Sequence, residues 1–167
     1  MKMRNIKNNL IKVLFGIVLF TSFTACDEGG DPNPGKTKTG QFAGDWFITL
    51  TDSDGDVVIE HALHSTYNTS ANDNTMWIDD HENGYYIKCK YTINNDGTFT
   101  ATDSENLLDP GSTVTITEGK IEKNAAVSKG GHTVDKISFR AHYDYDAPGY
   151  DILYEGHKRT GFLEDEY

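Results

Sequence analysis

Six histidines and a large excess of carboxylates are the side chains of this chain that could do acid–base or metal chemistry. His61 and His64 are three residues apart in a predicted strand, so they point to opposite faces and cannot share a metal ion without a bulge. His81 follows two aspartates in a predicted loop, where a solvated surface position is the simpler interpretation. No nucleophile elbow, zinc-binding His-Glu-x-x-His pair or glycine-rich phosphate loop occurs. The sequence therefore predicts no metal site and no cofactor, and it leaves any catalytic residue unknown.

The acidic segment Asp52–Asp56 has the spacing of the beginning of a calcium-binding loop. Such a loop needs glycine at its sixth position and a bidentate glutamate at its twelfth. Val57 and Leu63 stand at those positions. The segment is therefore predicted to be an acidic hairpin turn.

The thiol of Cys26 lies at the end of a segment with the features of a secretory signal peptide. Four basic residues and no acidic residue precede it, and residues 13–20 are an apolar run with one glycine. Phe23-Thr24-Ala25-Cys26 then brings small or hydroxylated residues before the cysteine. The apolar run is too short to span a bilayer, which takes about 20 residues. Residues 1–25 are predicted to be the signal peptide, and a transmembrane anchor or a plain cleaved signal are the alternatives.

Phe23-Thr24-Ala25-Cys26 resembles the lipobox of bacterial lipoproteins. The resemblance implies that Cys26 is acylated, becomes the new N-terminus and makes the only membrane contact. Residues 26–40 contain no large apolar residue after the cysteine, so a flexible tether is expected. Asp27-Glu28 resembles an acidic signal for surface display. A lipid anchor in the outer membrane is expected, with the domain on the cell surface or on the periplasmic face.

Composition excludes several classes of protein. The formal net charge is -11. The charged residues before Cys26 are all basic, so the chain that remains after cleavage of the predicted signal peptide is more acidic still. Binding of nucleic acid requires a basic surface, so no nucleic-acid partner is expected. With Cys26 acylated, Cys89 has no partner for a disulfide within the chain.

Residues 41–167 are predicted to be one all-β domain. Segments rich in Thr, Ile, Val, Tyr and Phe alternate with turn-forming clusters such as Asp54-Gly55, Asp96-Gly97 and Gly130-Gly131. Strands are predicted at 44–51, 57–65, 75–79, 85–93, 98–103, 112–117, 119–127, 133–145 and 150–158. Eight or nine short strands joined as hairpins favour an antiparallel up-and-down barrel or a sandwich.

Two segments, 85–93 and 137–145, alternate strictly between apolar and polar residues. Such alternation places one face of each strand in a core. The tyrosines at 85, 91, 143 and 145 fall on these inward faces, and tyrosine suits a cavity for an amphipathic ligand. A barrel of eight strands can also be filled by its own side chains, so cavity and filled core remain open. The candidate ligand-lining residues are Tyr85, Ile87, Cys89, Tyr91, Ile137, Phe139, Tyr143 and Tyr154.

Gly44-Asp45-Trp46 at the beginning of the first predicted strand resembles the entry motif of the calycins, lipocalin-like barrels that bind small hydrophobic ligands. The resemblance implies that Trp46 closes one end of the barrel and that a cation from the end of the last strand lies over its indole. Arg159 is the expected cation, with Lys158 as the alternative.

Three further segments, 42–47, 93–99 and 156–162, resemble bacterial lipoproteins described as lipid-binding putative hydrolases. The resemblance implies a calycin-like barrel of about eight strands that binds a lipid-like small molecule. A hydrolase acting on a lipid or ester is one alternative, although no residue of the chain carries a hydrolase motif. A non-catalytic accessory module that contacts an outer-membrane protein partner is the other.

Overall fold

Eight antiparallel strands form a closed barrel in which each strand pairs with its neighbours in the chain, and the first pairs with the last. The computed structural model describes residues 37–166, so the predicted signal peptide, Cys26 and most of the predicted tether lie outside the described residues. The strands are β1 Gly44–Thr51, β2 Val57–Asn68, β3 Thr75–Asp79, β4 Lys88–Ile93, β5 Thr98–Glu105, β6 Thr113–Val127, β7 Thr133–Tyr143 and β8 Ile152–Lys158. Two short 3₁₀ turns, Gly40–Phe42 and Leu163–Asp165, flank the barrel. The expectation of an all-β up-and-down barrel is confirmed, and the described part contains no helix long and apolar enough to span a membrane.

The up-and-down order gives the barrel two different ends. The β1–β2, β3–β4, β5–β6 and β7–β8 connections meet at one end, which we call the mouth. The other three connections meet at the opposite end, where Phe42 packs against the core, and we call this the capped end. Residue Gly97 in the β4–β5 turn has a φ of 84°, the left-handed conformation that the predicted Asp-Gly turn requires.

Trp46 holds the capped end together. Its side chain is completely buried, and its Nε1 donates a hydrogen bond to Thr66 Oγ1 at 2.9 Å. The Thr66 hydroxyl in turn donates to the backbone carbonyl of Phe42 at 2.8 Å. The indole nitrogen and the hydroxyl are therefore satisfied by protein groups, as burial of both requires.

The cation over Trp46 is Lys158, so the assignment of this contact to Arg159 was wrong. Lys158 Nζ lies 5.8 Å from the centre of the indole, whereas the Arg159 guanidinium lies 5.9 Å from the ring of Phe47. The register explains the difference, because Trp46 pairs directly with Lys158 across β1 and β8. Side chains alternate between faces, so the next residue, Arg159, reaches the ring on the outer face.

The structure corrects several predicted strand boundaries, most clearly those of β6 and β4. The predicted strands 112–117 and 119–127 are one strand, β6, with an irregularity at Glu118, whose φ is 53°. The register against β7 shifts between Thr117 and Lys120, so the extra residue is absorbed as a bulge. Strand β4 begins at Lys88, because residues 80–87 form the loop that crosses the mouth.

Buried polar contacts fix this loop. Asn106 is completely buried, its Nδ2 donates to the carbonyl of Tyr86 at 2.8 Å, and its Oδ1 accepts from the amide of Lys88 at 3.0 Å. On the other side of the mouth, Ser53 Oγ accepts from the amide of Asp151 at 2.7 Å. The segment Asp52–Asp56 is the acidic hairpin turn that was predicted, with Asp52 Oδ1 accepting from backbone amides within it.

Candidate ligand-binding site

A connected set of aromatic side chains occupies the barrel interior. The rings of Phe139 and Tyr154 stack with centres 4.3 Å apart, and Phe99 lies 5.7 Å from Phe139. Tyr91 continues the set at 4.7 Å from Phe99. These distances are those of directly packed rings, so the aromatic side chains fill this part of the interior themselves.

The structure buries seven of the eight predicted ligand-lining residues in the core and places the eighth at its edge. The buried residues are Ile87, Cys89, Tyr91, Ile137, Phe139, Tyr143 and Tyr154, and Tyr85 is half-buried at the mouth. Their inward orientation is confirmed, and their contact with a ligand stays a prediction. Tyr145 was wrongly placed inside: β7 ends at Tyr143, and the side chain of Tyr145 is 53% exposed.

Two tyrosine hydroxyls meet inside the barrel below the mouth. Tyr143 and Tyr154 are both completely buried, and their hydroxyl oxygens are 2.7 Å apart. Burial raises the pKa of both phenols well above the ordinary value, so both remain protonated and neutral. One hydroxyl donates to the other, which leaves a donor proton on the pair for a further partner.

His64 is the interior residue that the sequence did not identify. It lies on β2, is completely buried, and meets the ring of Tyr154 edge to face at 5.7 Å. Its Nδ1 is 3.0 Å from the carbonyl oxygen of Ala62, and because a carbonyl only accepts, Nδ1 carries the proton. Burial lowers the pKa of His64, so the ring is neutral at pH 7. Its Nε2 is therefore a bare acceptor, and it has no hydrogen-bond partner among the described residues.

Asp80 is the buried carboxylate next to His64. It is completely buried, and its two oxygens accept from the amides of Glu82 and Ile87 at 3.0 Å each. The carboxylate thus fixes both ends of the loop that crosses the mouth. Its negative charge favours protonation of His64, but the burial of the imidazole outweighs this effect in setting the direction of the pKa.

Gly84 is the point at which this loop approaches both groups. A Cβ on Gly84 would lie 2.6 Å from Asp80 Oδ2 and 3.1 Å from His64 Nε2. The first distance is shorter than any carbon–oxygen contact allows, so a side chain at this position would displace the loop or the carboxylate. The backbone of Gly84 therefore lies next to both acceptor atoms.

A pocket of about 250 Å³ opens on the outer side of this loop. It is lined by Gly84, Tyr85, Tyr86 and Tyr145, and we call it the mouth pocket. The ring of Tyr143 lies 5.0 Å from Tyr85 and 5.4 Å from Tyr145, so these two rings pack between the pocket and the buried hydroxyl pair. A more open pocket of about 340 Å³ shares Tyr145, but its other lining residues belong to the 109–112 loop and Asp144, outside the core.

The mouth is negatively charged. Asp109 and Asp144 line the larger pocket. Burial raises the pKa of Tyr145 to about 12, with a further contribution from the nearby Asp146. Burial also raises the pKa of Asp146 itself. An anionic group that approaches the mouth pocket therefore meets repulsion, whereas a neutral or cationic group does not.

The described residues offer little for nucleophilic or metal chemistry. Burial raises the pKa of the Cys89 thiol to about 12, so the thiolate that would attack a substrate is not formed at neutral pH. No group of three or more His, Cys, Asp or Glu in the described range could hold a metal ion. His61 lies on the outer face, stacked on Phe47 at 4.0 Å, so it and His64 occupy opposite faces as predicted.

A closed barrel of eight strands is either filled by its own side chains or holds one small ligand. The model of the family described as lipid-binding putative hydrolases matches residues 31–163, and the chain belongs to this family. The resemblance to lipid-binding putative hydrolases seen in the sequence is thereby confirmed. A comparison with curated proteins finds no match.

The lowered pKa of His64 predicts a specific loss of stability in mild acid. The unfolded chain takes up a proton below about pH 6.5, whereas the folded protein resists it, so stability is present above that pH and falls as the pH falls. The free energy of unfolding should decrease by up to about 1.4 kcal/mol per pH unit between pH 6.5 and 5.5 from this residue. Paired carboxylates titrate below this window. Urea unfolding at pH 7.5, 6.5 and 5.5 measures the loss.

His61 contributes in the same direction, since burial also lowers its pKa. The comparison is therefore between the wild-type protein and His64→Phe, which keeps an aromatic ring against Tyr154 and cannot titrate. His64→Phe should have a flatter dependence of stability on pH, whatever its absolute stability. The exposed Val127, changed to Ser, serves as the control and should keep the wild-type slope because the change neither adds nor removes a titratable group. Equal slopes for wild type and His64→Phe would contradict a neutral buried His64.

Proposed function

We propose that this protein binds a small amphipathic, lipid-like molecule at the mouth of its barrel. The observation that carries the proposal is the mouth pocket, whose tyrosine rings pack against Tyr143 and so lie next to the buried hydroxyl pair of Tyr143 and Tyr154. Membership in a lipid-binding family supports the same class of ligand. The apolar part of the ligand lies against Tyr85, Tyr86 and Tyr145, and its polar group points toward the interior.

The packing of the interior decides where the ligand lies. The rings of Phe139 and Tyr154 are already stacked, so a chain entering between them would have to separate them. Tyr85 is only half-buried and covers Tyr143 at 5.0 Å. Movement of the Tyr85 ring away from Tyr143 would lengthen the mouth pocket toward the predicted lining residues.

Ligand binding accounts for the site better than hydrolysis does. Among the described residues, the free base of the interior is His64 Nε2, which could activate a water or a substrate hydroxyl. The Cys89 thiol is held protonated, so it does not supply the nucleophile for such a base. Binding a lipid without cleaving it requires no nucleophile, so the groups present in the site are sufficient for binding.

The exposed tyrosines of the mouth provide the test of binding. Protein purified from its native host should carry a lipid-like molecule that native mass spectrometry detects and organic extraction releases. Tyr86 and Tyr145 are each 53% exposed, so replacing both with Ser should leave the thermal unfolding temperature nearly unchanged. The same change removes two apolar faces from the pocket and should weaken ligand retention about tenfold.

Val127→Ser is the matched control. Val127 is an exposed apolar residue at the far end of β6, away from the mouth. It should retain ligand as the wild-type protein does. A bare polypeptide mass, unchanged after incubation with a lipid extract from the host, would contradict binding and would favour an accessory module with a protein partner.

We further propose that the protein is a lipoprotein anchored to the outer membrane through acylated Cys26. The basic segment, the short apolar run and Phe23-Thr24-Ala25-Cys26 support this placement. The anchor holds the barrel beside a membrane from which it can receive or to which it can deliver a lipid-like molecule. The cell surface and the periplasmic face are both open to such a protein, and protease treatment of intact cells distinguishes them.

Cys26→Ser should move the protein from the detergent phase to the aqueous phase in a detergent partition of cell extracts. It should also remove the mass of the acyl chains from the N-terminal peptide. Cys89→Ala is the control, because Cys89 is buried in the core and should not affect partitioning. Retention of Cys26→Ser in the detergent phase would contradict acylation at this residue.

A further inference from the structure

We infer that the head group recognised by this site is a hydrogen-bond donor, an alcohol or an amine, and that His64 Nε2 and Asp80 Oδ2 accept from it behind Gly84. The inference rests on the proposed ligand binding at the mouth and specifies the chemistry of the ligand. It excludes ionised fatty acids as the preferred ligand.

The protonation of the His64 ring determines what kind of partner it can bind. Its Nδ1 donates to the carbonyl of Ala62, so the neutral ring has its lone pair on Nε2. A buried acceptor without a partner costs free energy, and this one has none among the described residues. A partner that satisfies it must donate a hydrogen.

Asp80, next to His64, provides a second acceptor. Asp80 Oδ2 accepts one backbone hydrogen bond, from Ile87, and a carboxylate oxygen has room for another. The positions of Oδ2 and Nε2 around Gly84 bring two acceptors to one place. An alcohol or an ammonium group complements two acceptors, whereas a carboxylate or a phosphate places acceptor against acceptor and charge against charge.

Gly84 lies between the mouth pocket and the two acceptor atoms. Gly84 belongs both to the lining of the mouth pocket and to the cover of Nε2 and Oδ2. A head group in the pocket is therefore separated from the acceptors by one glycine of a surface loop. Three non-glycine residues of this loop, His81, Glu82 and Tyr86, have positive φ angles, so a shift of the loop can also release backbone strain.

The carboxylates of the mouth also favour a neutral or cationic head group over an anionic one. Asp144 and Asp146 flank Tyr145, and Asp109 lies in the adjoining pocket. These carboxylates repel an anionic head group before it reaches the interior and tolerate a neutral or cationic one. The outer and inner parts of the site therefore favour the same class of ligand.

The test compares three ligands with the same ten-carbon chain, 1-decanol, decylamine and decanoate, titrated at pH 8 into the purified protein. At this pH they are neutral, cationic and anionic. We expect decanol and decylamine to bind at least about tenfold more tightly than decanoate. Adding decanol to protein labelled with ¹⁵N-histidine should shift the Nε2 resonance of His64. Equal affinity for the three ligands, or an unmoved Nε2 resonance at saturation, would overturn the inference.

Variants locate the effect. His64→Phe should weaken decanol binding about fivefold, the loss of one hydrogen bond, and leave decanoate unchanged. His64→Gln, which offers an amide oxygen near the position of Nε2, should restore part of the affinity. Gly84→Ala should weaken decanol and decylamine together, because the added methyl group would meet Asp80 Oδ2 at 2.6 Å and displace the loop or the carboxylate that both head groups approach. Val127→Ser, an exposed change at the far end of β6, is the control and should bind as the wild-type protein does.

The outcomes separate this inference from the proposed function. One outcome overturns the inference alone: decanol binds, the Tyr86/Tyr145 double variant weakens its binding, and His64→Phe does not. In that case the mouth binds the ligand, but His64 does not recognise its head group. If none of the three ligands binds, the proposed function fails and the inference fails with it.

Discussion

The pairing of β1 with β8 is the constraint on which the rest of the structure depends. Six consecutive residue pairs, from Trp46 with Lys158 to Thr51 with Leu153, close the sheet into a barrel. Gly156 makes this closure possible, because a Cβ there would lie 2.2 Å from the backbone oxygen of Phe47. Without this ladder the interior would open along one side, and the hydroxyl pair and the imidazole would face water.

Closure also determines the charge of the site. Inside the barrel, burial keeps the phenols of Tyr143 and Tyr154, the thiol of Cys89 and the imidazole of His64 uncharged. Beside them, the buried side chain of Asp80 accepts hydrogen bonds from the backbone amides of Glu82 and Ile87. The acidic excess of the chain lies elsewhere, mostly on exposed residues. The site therefore combines a neutral interior rich in acceptors with an anionic rim.

The strictly alternating segments predict the all-β class and much of the interior from the amino-acid sequence, whereas the choice of a barrel over a sandwich rests on the family resemblance. The apolar residues of segments 87–93 and 137–143 face the interior, as their alternation predicts. A period of two determines which side chains face inward when one face of a strand is buried. His64 escaped detection for the opposite reason. The register of β2 shifts near His61, whose φ is 53°, so the alternation that begins at Val57 changes phase before His64. The error on Arg159 has a similar origin, since a one-residue difference in register decides which cation meets Trp46.

A structure of the protein with 1-decanol bound tests the central claim, that the mouth of the barrel is the binding site, most directly. We expect the alkyl chain against Tyr85 and Tyr145, and the hydroxyl oxygen within hydrogen-bond distance of His64 Nε2. Decanol on the outer surface instead, for example against the exposed Phe162 and Leu163 near the capped end, would contradict the assignment of the mouth.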